Sequence, residues 1–392
     1  MPSARPSVIA IFFAALKLGC TSFGGPIAHL GYFRNEYVAR RGWISDEDFA
    51  ELVALCQFLP GPASSQVGFG VGLLTRGLAG GVAAWLGFTL PSAMVMTLFA
   101  FGIGSLRHPE MSGWLGGLKV AAAAVVAQAV LAMGRRLCPD LPRAVLAAVA
   151  AAAVTFAGGT ASQVGVLAGG ALIGGLWLRS PPTAAVAGPA LRRRGAIWLV
   201  AFLVLLAVLP ALAHAFPAGW MAVADRFYRT GSLVFGGGHT VVPLLGQQVV
   251  AAGWVPEDRF VAGYGFVQAM PGPLFSFAAY LGALLRIGPG GWLGAAWALG
   301  WLFLPGLLLV GGVLPWWNVA RRSRVAGGAV AGVNAAIVGV LLAALVDPVV
   351  TSSLLGPREW IVAGSAFAAL QIFRAPSWLV VIACAAAGGS LL

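Results

Sequence analysis

Residues 42–65 read GWISDEDFAELVALCQFLPGPASS, and residues 253–276 read GWVPEDRFVAGYGFVQAMPGPLFS. At an offset of 211 residues, Gly42-Trp43, Phe49, Gln57, Pro60-Gly61-Pro62 and Ser65 return as Gly253-Trp254, Phe260, Gln268, Pro271-Gly272-Pro273 and Ser276. Eight identities in 24 positions exceed the about two that unrelated segments would share, and self-similarity at a fixed spacing marks an internal repeat. The register extends outward. One residue out of step, Gly19 and Phe23-Gly24-Gly25 match Gly231 and Phe235-Gly236-Gly237, and Lys17 falls on Arg229. Downstream, Leu90-Pro91 returns as Leu304-Pro305. The chain reads as a duplication: a first repeat over 1–178, a basic loop plus a linking transmembrane helix over 179–217, and a second repeat over 218–392.

Composition fixes the solvent. Hydrophobic residues make up 59% of the 392 residues and charged ones 9%, where a soluble domain carries about 25%. So few charges cannot cover a water-facing surface. Apolar runs such as 195–216, 290–314 and 325–346 are long enough for a hydrocarbon core of about 30 Å, which takes roughly 20 residues. They are continuous rather than alternating, which excludes a membrane barrel. The expected fold is an all-α polytopic membrane protein. The net charge of +12 comes from basic residues scattered between apolar runs, as topology determinants are, so nucleic acid is not an expected partner. Cys20, Cys56, Cys138 and Cys384 form no CxxC pair and read as small apolar side chains, with no metal or disulfide framework. The N-terminal apolar segment has a counterpart inside the chain and is therefore read as mature structure, not as a signal peptide.

Each repeat has the same plan. A short apolar segment (8–23, 221–235) breaks at Gly-Gly, and a second pair of short segments (48–59 and 63–74, 259–270 and 274–285) breaks at Pro-Gly-Pro. Conventional spans follow at 79–104, 114–137, 143–157 and 160–178, then at 290–314, 325–346, 358–373 and 376–392, with 196–216 joining the halves. If the broken pairs leave parity unchanged and the N-terminus is cytoplasmic, sixteen arginines, among them Arg5, Arg40, Arg192–Arg194 and Arg321, fall on the cytoplasmic side. Six, among them Arg107, Arg226 and Arg286, fall opposite. That positive-inside bias turns the second repeat upside down relative to the first and places the C-terminus on the periplasmic side. Inverted repeats with broken helices mark secondary transporters, whose site lies near the midplane where the breaks meet.

The breaks supply the candidate site. A proline just after a glycine turn favours the start of a helix, and half-helix N-termini offer free N–H groups and partial positive charge, which suits an anion. The lining residues expected in the first repeat are Ser22, Gly24, Gly25, Pro26, His29, Gln57, Pro60, Gly61, Pro62, Ser64 and Ser65. In the second they are Gly236, Gly237, Gly238, His239, Gln268, Gly272 and Ser276. The two lysines, Lys17 and Lys119, lie within apolar segments, and with Arg229 they are expected to supply positive charge. No Asp or Glu sits in the middle of a long span; Glu51, Asp225 and Asp347 lie near ends, which favours an anion path over a cation path. His29 and His239 are not at equivalent positions and are too sparse for a metal site. The acidic clusters Asp46–Asp48 and Glu257-Asp258 are read as helix caps. An intramembrane enzyme would need a nucleophile–base pair, HExxH or GxSxG, and none is present.

The stretch from Phe23-Gly24-Gly25-Pro26 through His29 to Arg34, then Gly42-Trp43 and Gln57-Phe58-Leu59-Pro60-Gly61-Pro62, resembles the chromate ion transporter family. The second copy, Phe235 to His239 and on to Pro271-Gly272-Pro273, is similar to the second domain of its long, two-domain members, with Gly238 where the first copy has proline. The resemblance covers essentially the whole chain. It implies a bacterial inner-membrane exporter of chromate that confers resistance, with no cofactor and with Gly24, Gly25, Pro26, His29, Arg34, Pro60, Gly61 and Pro62 in motif positions. Sulfate, another tetrahedral dianion, is the expected competitor and the alternative substrate. The implied partners are thus these oxyanions and the lipid bilayer, with a homo-oligomer left open.

Overall fold

The computed structural model describes residues 6–23, 25–105, 110–157, 159–178, 190–216, 219–234, 241–316 and 324–391. Helix accounts for 86% of it, and no strand occurs among the described residues. In chain order the helices are α1 (Val8–Thr21), α2 (Gly25–Phe33, continued by π-helical turns over Arg34–Arg40), α3 (Asp46–Phe58), α4 (Ala63–Ser105), α5 (Glu110–Leu137), α6 (Leu141–Ala157), α7 (Gly159–Trp177) and α8 (Ala190–Ala215). They continue with α9 (Trp220–Leu233), α10 (Val241–Leu245, then π-helical Gly246–Val250), α11 (Glu257–Val267), a 3-10 turn (Leu274–Ser276) leading into α12 (Phe277–Leu284), and α13 (Gly291–Val313). The last three are α14 (Arg324–Ala344, then π-helical Leu345–Val350), α15 (Pro357–Gln371) and α16 (Ser377–Leu391).

Five stretches, 63–103, 113–137, 195–215, 291–316 and 327–347, are long and apolar enough to cross a bilayer. The most telling is 195–215 in α8. Its mean hydropathy is 2.7, yet almost none of it is fully buried, and Ile197, Val200 and Leu203 are each more than half exposed. Water would not sustain such a surface; acyl chains do. The chain is a multi-pass α-helical membrane protein.

The short segments fold back on themselves. At 14 residues α1 is about 21 Å long, less than the hydrocarbon thickness. Ser7 starts it by accepting from the Ala10 N–H, and Ser45 starts α3 by accepting from the Asp48 N–H at 3.0 Å. The acidic first turn of α3 complements its dipole, as expected of a cap. Although α4 is continuous in outline, Arg76 (φ −138°) and Gly77 (φ +64°) leave helical geometry, so its first 13 residues form a separate short arm. Gly70 on that arm lies against Leu52 of α3, and Gly68 against Phe33 of α2; with His29 beside Ser64, the arm runs parallel to α2. At the open end Arg76 Nε donates to the Pro6 carbonyl at 2.6 Å; at the other end His29 meets Ser64. The break at 59–62 is therefore the tip of a hairpin.

By internal contacts the residues form two compact units, one of 1–98, 184–238 and 271–320, the other of 99–183, 239–270 and 321–392. The units are not the two halves of the sequence, since each repeat contributes to both. In the first, α8, α9 and α12 pack on α13, with Leu209, Ala224 and Tyr228 buried beneath Trp297 and Trp301. In the second, α14 packs on α6 and α7, and α5 on α11, α15 and α16. Small residues let these backbones touch: a β-carbon at Gly332 or Gly174 would strike the carbonyl of Gly170 or Gly328.

Candidate functional site

The first unit holds both Pro-Gly-Pro turns, and each is tied to the broken helix of the other repeat. Helix α1 ends at Thr21, and the Ser22 carbonyl beyond it accepts from the Gly272 N–H at 2.9 Å. Helix α9 ends at Leu233, and the Val234 carbonyl beyond it accepts from the Gly61 N–H at 2.6 Å. Ser22 corresponds to Val234 and Gly61 to Gly272, so these are one bond made twice. Both glycines have positive φ, +125° at Gly61 and +92° at Gly272, which only glycine adopts without strain. The packing repeats too, with Gly19 against the Phe88 carbonyl and Gly231 against the Leu302 carbonyl.

Polar side chains gather where the first of these bonds lies. Ser22, His29, Ser64, Ser65, Thr89 and Ser92 are all buried. The His29 ring contacts the Ser22 backbone, its Nδ1 lies 3.3 Å from Ser64 Oγ, and its edge meets the Phe88 ring at 5.4 Å. Ser92 donates to the Thr89 carbonyl at 3.1 Å, and its hydroxyl faces Gly272. Three hydroxyls, on Ser22, Ser65 and Thr89, have no hydrogen-bond partner. A buried polar group left so costs about 1–3 kcal/mol. Gln66 braces the turn: its Nε2 donates to the Pro60 carbonyl at 2.8 Å and the Gly306 carbonyl at 3.1 Å. Chemically this is a set of neutral donors beside two helix starts, α2 opening at Gly25-Pro26 and α4 directly after Pro62.

The cations behave differently from their expected role. Lys17 donates to Glu36 Oε2 at 3.1 Å, and Arg40 and Arg41 bond the same carboxylate at 3.0 and 2.7 Å. Burial pushes the Glu36 carboxyl up, but the hydrogen bonds from Arg41, Lys17 and Arg40 outweigh it and hold the group at about 2. Arg229 pairs with the buried Asp225 one turn before it. Neither Lys17 nor its counterpart Arg229 is thus a free charge, because each repeat supplies a buried carboxylate. Arg34 forms a two-pronged bond to Asp46 at 2.6 and 2.8 Å, which draws the Asp46 carboxyl below its usual range and ties α2 to the start of α3. Replacing Glu36 with glutamine should destabilise the protein by about 2–3 kcal/mol, since three cations lose their common partner. A depressed carboxylate stabilises above its ordinary pKa, and that contribution disappears as pH falls from about 4.5 to about 2. Melting curves across this window should therefore show wild type and Glu36→Gln converging at the acid end; a constant gap would contradict the assignment.

Other expected residues are placed as follows. Gln57 is exposed near the end of α3. Ser276 is buried and spends its hydroxyl proton on the Pro273 carbonyl at 2.8 Å. Lys119, half-buried in α5, and Gln268, buried with its Nε2 unpartnered, belong to the second unit. Gly24, Gly236, Gly237, Gly238 and His239 lie outside the described residues, as does the side chain of Pro26. Thr89 and Ser92 were not anticipated; the signal for them is polar residues flanking Pro91 in an otherwise apolar span. Among the described residues no three His, Cys, Asp or Glu side chains group as metal ligands would.

The profile of the chromate transporter family matches residues 9–175 and again 221–389. The chain belongs to the chromate transporter family. Its two matched stretches lie either side of α8, one on each sequence repeat. A chromate transport protein of Pseudomonas aeruginosa is 30% identical over 313 residues, 78% of this chain and 71% of that one. The chromate transport protein of Cupriavidus metallidurans is 27% identical over 347 residues, covering 84% and 80%. A probable chromate transport protein of Synechococcus elongatus is 27% identical over 335 residues, covering 84% and 82%. No solved structure matches the chain.

Proposed function

We propose that this protein is a secondary transporter that carries chromate out of the bacterial cytoplasm across the inner membrane and thereby confers chromate resistance. The observation that carries this reading is the group of unpartnered hydroxyls on Ser22, Ser65 and Thr89 beside the bond from Gly272 to Ser22. Chromate is a tetrahedral dianion, and hydroxyl and N–H donors held away from water are the complement it needs. The chromate transport proteins among its relatives support chromate as the cargo. Sulfate has the same shape and charge, so it competes for the same donors. A site of neutral donors leaves the dianion's charge in place, which makes transport sensitive to membrane potential. Moving one charge through 100 mV is worth about 2.3 kcal/mol, so a dianion leaving an inside-negative cell gains about 4.6.

In this proposal the repeats are inverted, the N-terminus is cytoplasmic and the C-terminus periplasmic. Transport is by alternating access. Expression in a chromate-sensitive bacterium tests the direction. Cells carrying the protein should accumulate several-fold less chromate than cells carrying an empty vector, and should grow at higher chromate. Greater accumulation would reverse the assigned direction.

A further inference from the structure

The second unit contains a cavity of about 230 Å³, open on one side, that the anion site does not use. Its charged lining residues are Glu257 and Asp347, with no lysine or arginine among them. Gln163 also lines it and is 2% exposed; its Nε2 points to the Pro243 carbonyl at 3.4 Å, which leaves Oε1 as the orphan, with no partner. Two of the π-helical segments meet at this wall, Gly246–Val250 contributing Gly246 and Val250, and Leu345–Val350 contributing Asp347. Asp347 leaves helical geometry altogether, at φ −137° and ψ 120°. Widened or unwound turns turn backbone carbonyls away from the regular ladder, and such turns commonly mark ligand sites.

Besides the side chains of Thr155 and Gln247, the cavity offers two carboxylates and an amide oxygen without a partner. Oxygen donors select hard cations, not the softer metals that want nitrogen or sulfur. The effective charge is below two. Glu257 sits in the first turn of α11, where the helix dipole offsets part of its charge, and Asp347 Oδ1 already accepts from Thr351 Oγ1 at 3.1 Å. The volume leaves room for several waters to complete a coordination shell. We propose that this cavity, lined by Gln163, Glu257 and Asp347, binds a monovalent alkali cation, sodium. The inference stands apart from the transport reading, because it concerns binding and is read without any flux.

The test uses the purified full-length protein in detergent, melted in sodium chloride or in choline chloride at equal ionic strength, with potassium and magnesium chlorides as comparisons. Sodium should raise the melting temperature saturably, by about 3 °C. Potassium should do so less, and magnesium no more than choline. Combining Glu257→Gln with Asp347→Asn should abolish the sodium shift while leaving the melting temperature in choline within about 1 °C of wild type. Asp347 is exposed, so Asp347→Asn alone is the variant to use if the pair folds poorly; it should raise the half-saturating sodium concentration at least about tenfold. Wild type that melts identically in sodium and choline overturns the proposal. So does a sodium shift that survives in both variants, or a larger shift with magnesium than with sodium.

Discussion

Replacing Gly61 with alanine is expected to destabilise the protein by about 3 kcal/mol, enough to reduce sharply the yield of monodisperse protein after detergent extraction. Two causes add. The backbone at Gly61 sits at φ +125°, a region that L-residues avoid. A β-carbon there would also lie 2.7 Å from Gln66 Nε2 and 3.0 Å from Gly306 Cα. The first neighbour cannot swing aside, because Gln66 is held by the Pro60 and Gly306 carbonyls; the second is backbone. Relief of the clash would displace the turn and stretch the bond from Gly61 to Val234. The equivalent change at Gly272 should be milder, since the nearest atom there is the Ser92 hydroxyl at 3.0 Å, held by a single hydrogen bond, and the nearest backbone atom is the Gly19 carbonyl oxygen at 3.3 Å. Melting temperatures of the two variants check the ranking; a Gly61→Ala protein as stable as wild type would remove the turn from the fold's supports.

The second large effect concerns the empty hydroxyls. Combining Ser22→Ala with Thr89→Val should weaken chromate binding about 100-fold, because each lost donor to a dianion is worth about 1.5 kcal/mol or more. Stability should move the other way. Both hydroxyls are buried without partners, and removing an unsatisfied polar group relieves a desolvation penalty. A merely structural role would couple lower binding to lower stability, whereas a ligand site gives weaker binding in a protein at least as stable as before. Equilibrium titration with chromate, paired with melting curves, separates the two. Unchanged affinity would show that these hydroxyls do not face the substrate.

The backbone chemistry of this fold was legible because glycine and proline state it locally. Pro60-Gly61-Pro62 and Pro271-Gly272-Pro273 forecast turns followed by helix starts, and the structure begins α4 at Ala63 and the 3-10 turn at Leu274. The broken short segments and the long spans were likewise written in apolar run length. What the sequence concealed is long-range pairing. Lys17 in an apolar segment reads as a free cation, and nothing local says that Glu36, nineteen residues on, folds back to neutralise it. Asp225 lies one turn from Arg229, so that pairing was readable from i, i+4 spacing. Thr89 and Ser92 were hidden by their apolar surroundings, since a hydroxyl in a long span normally bonds its own helix. Ser92 does so, but Thr89 does not, and only the folded structure distinguishes them.

Flux through sealed liposomes tests the central claim most directly: purified protein, an imposed membrane potential, no pH gradient, and chromate and sulfate followed separately. A site of neutral donors carrying a dianion predicts chromate movement driven by the potential alone, its direction reversing with the sign of the potential, and sulfate inhibiting competitively. Chromate movement only when a proton gradient or sulfate on the opposite side is supplied would contradict the electrogenic account, and no chromate movement by folded protein under any of these conditions would contradict the oxyanion site itself.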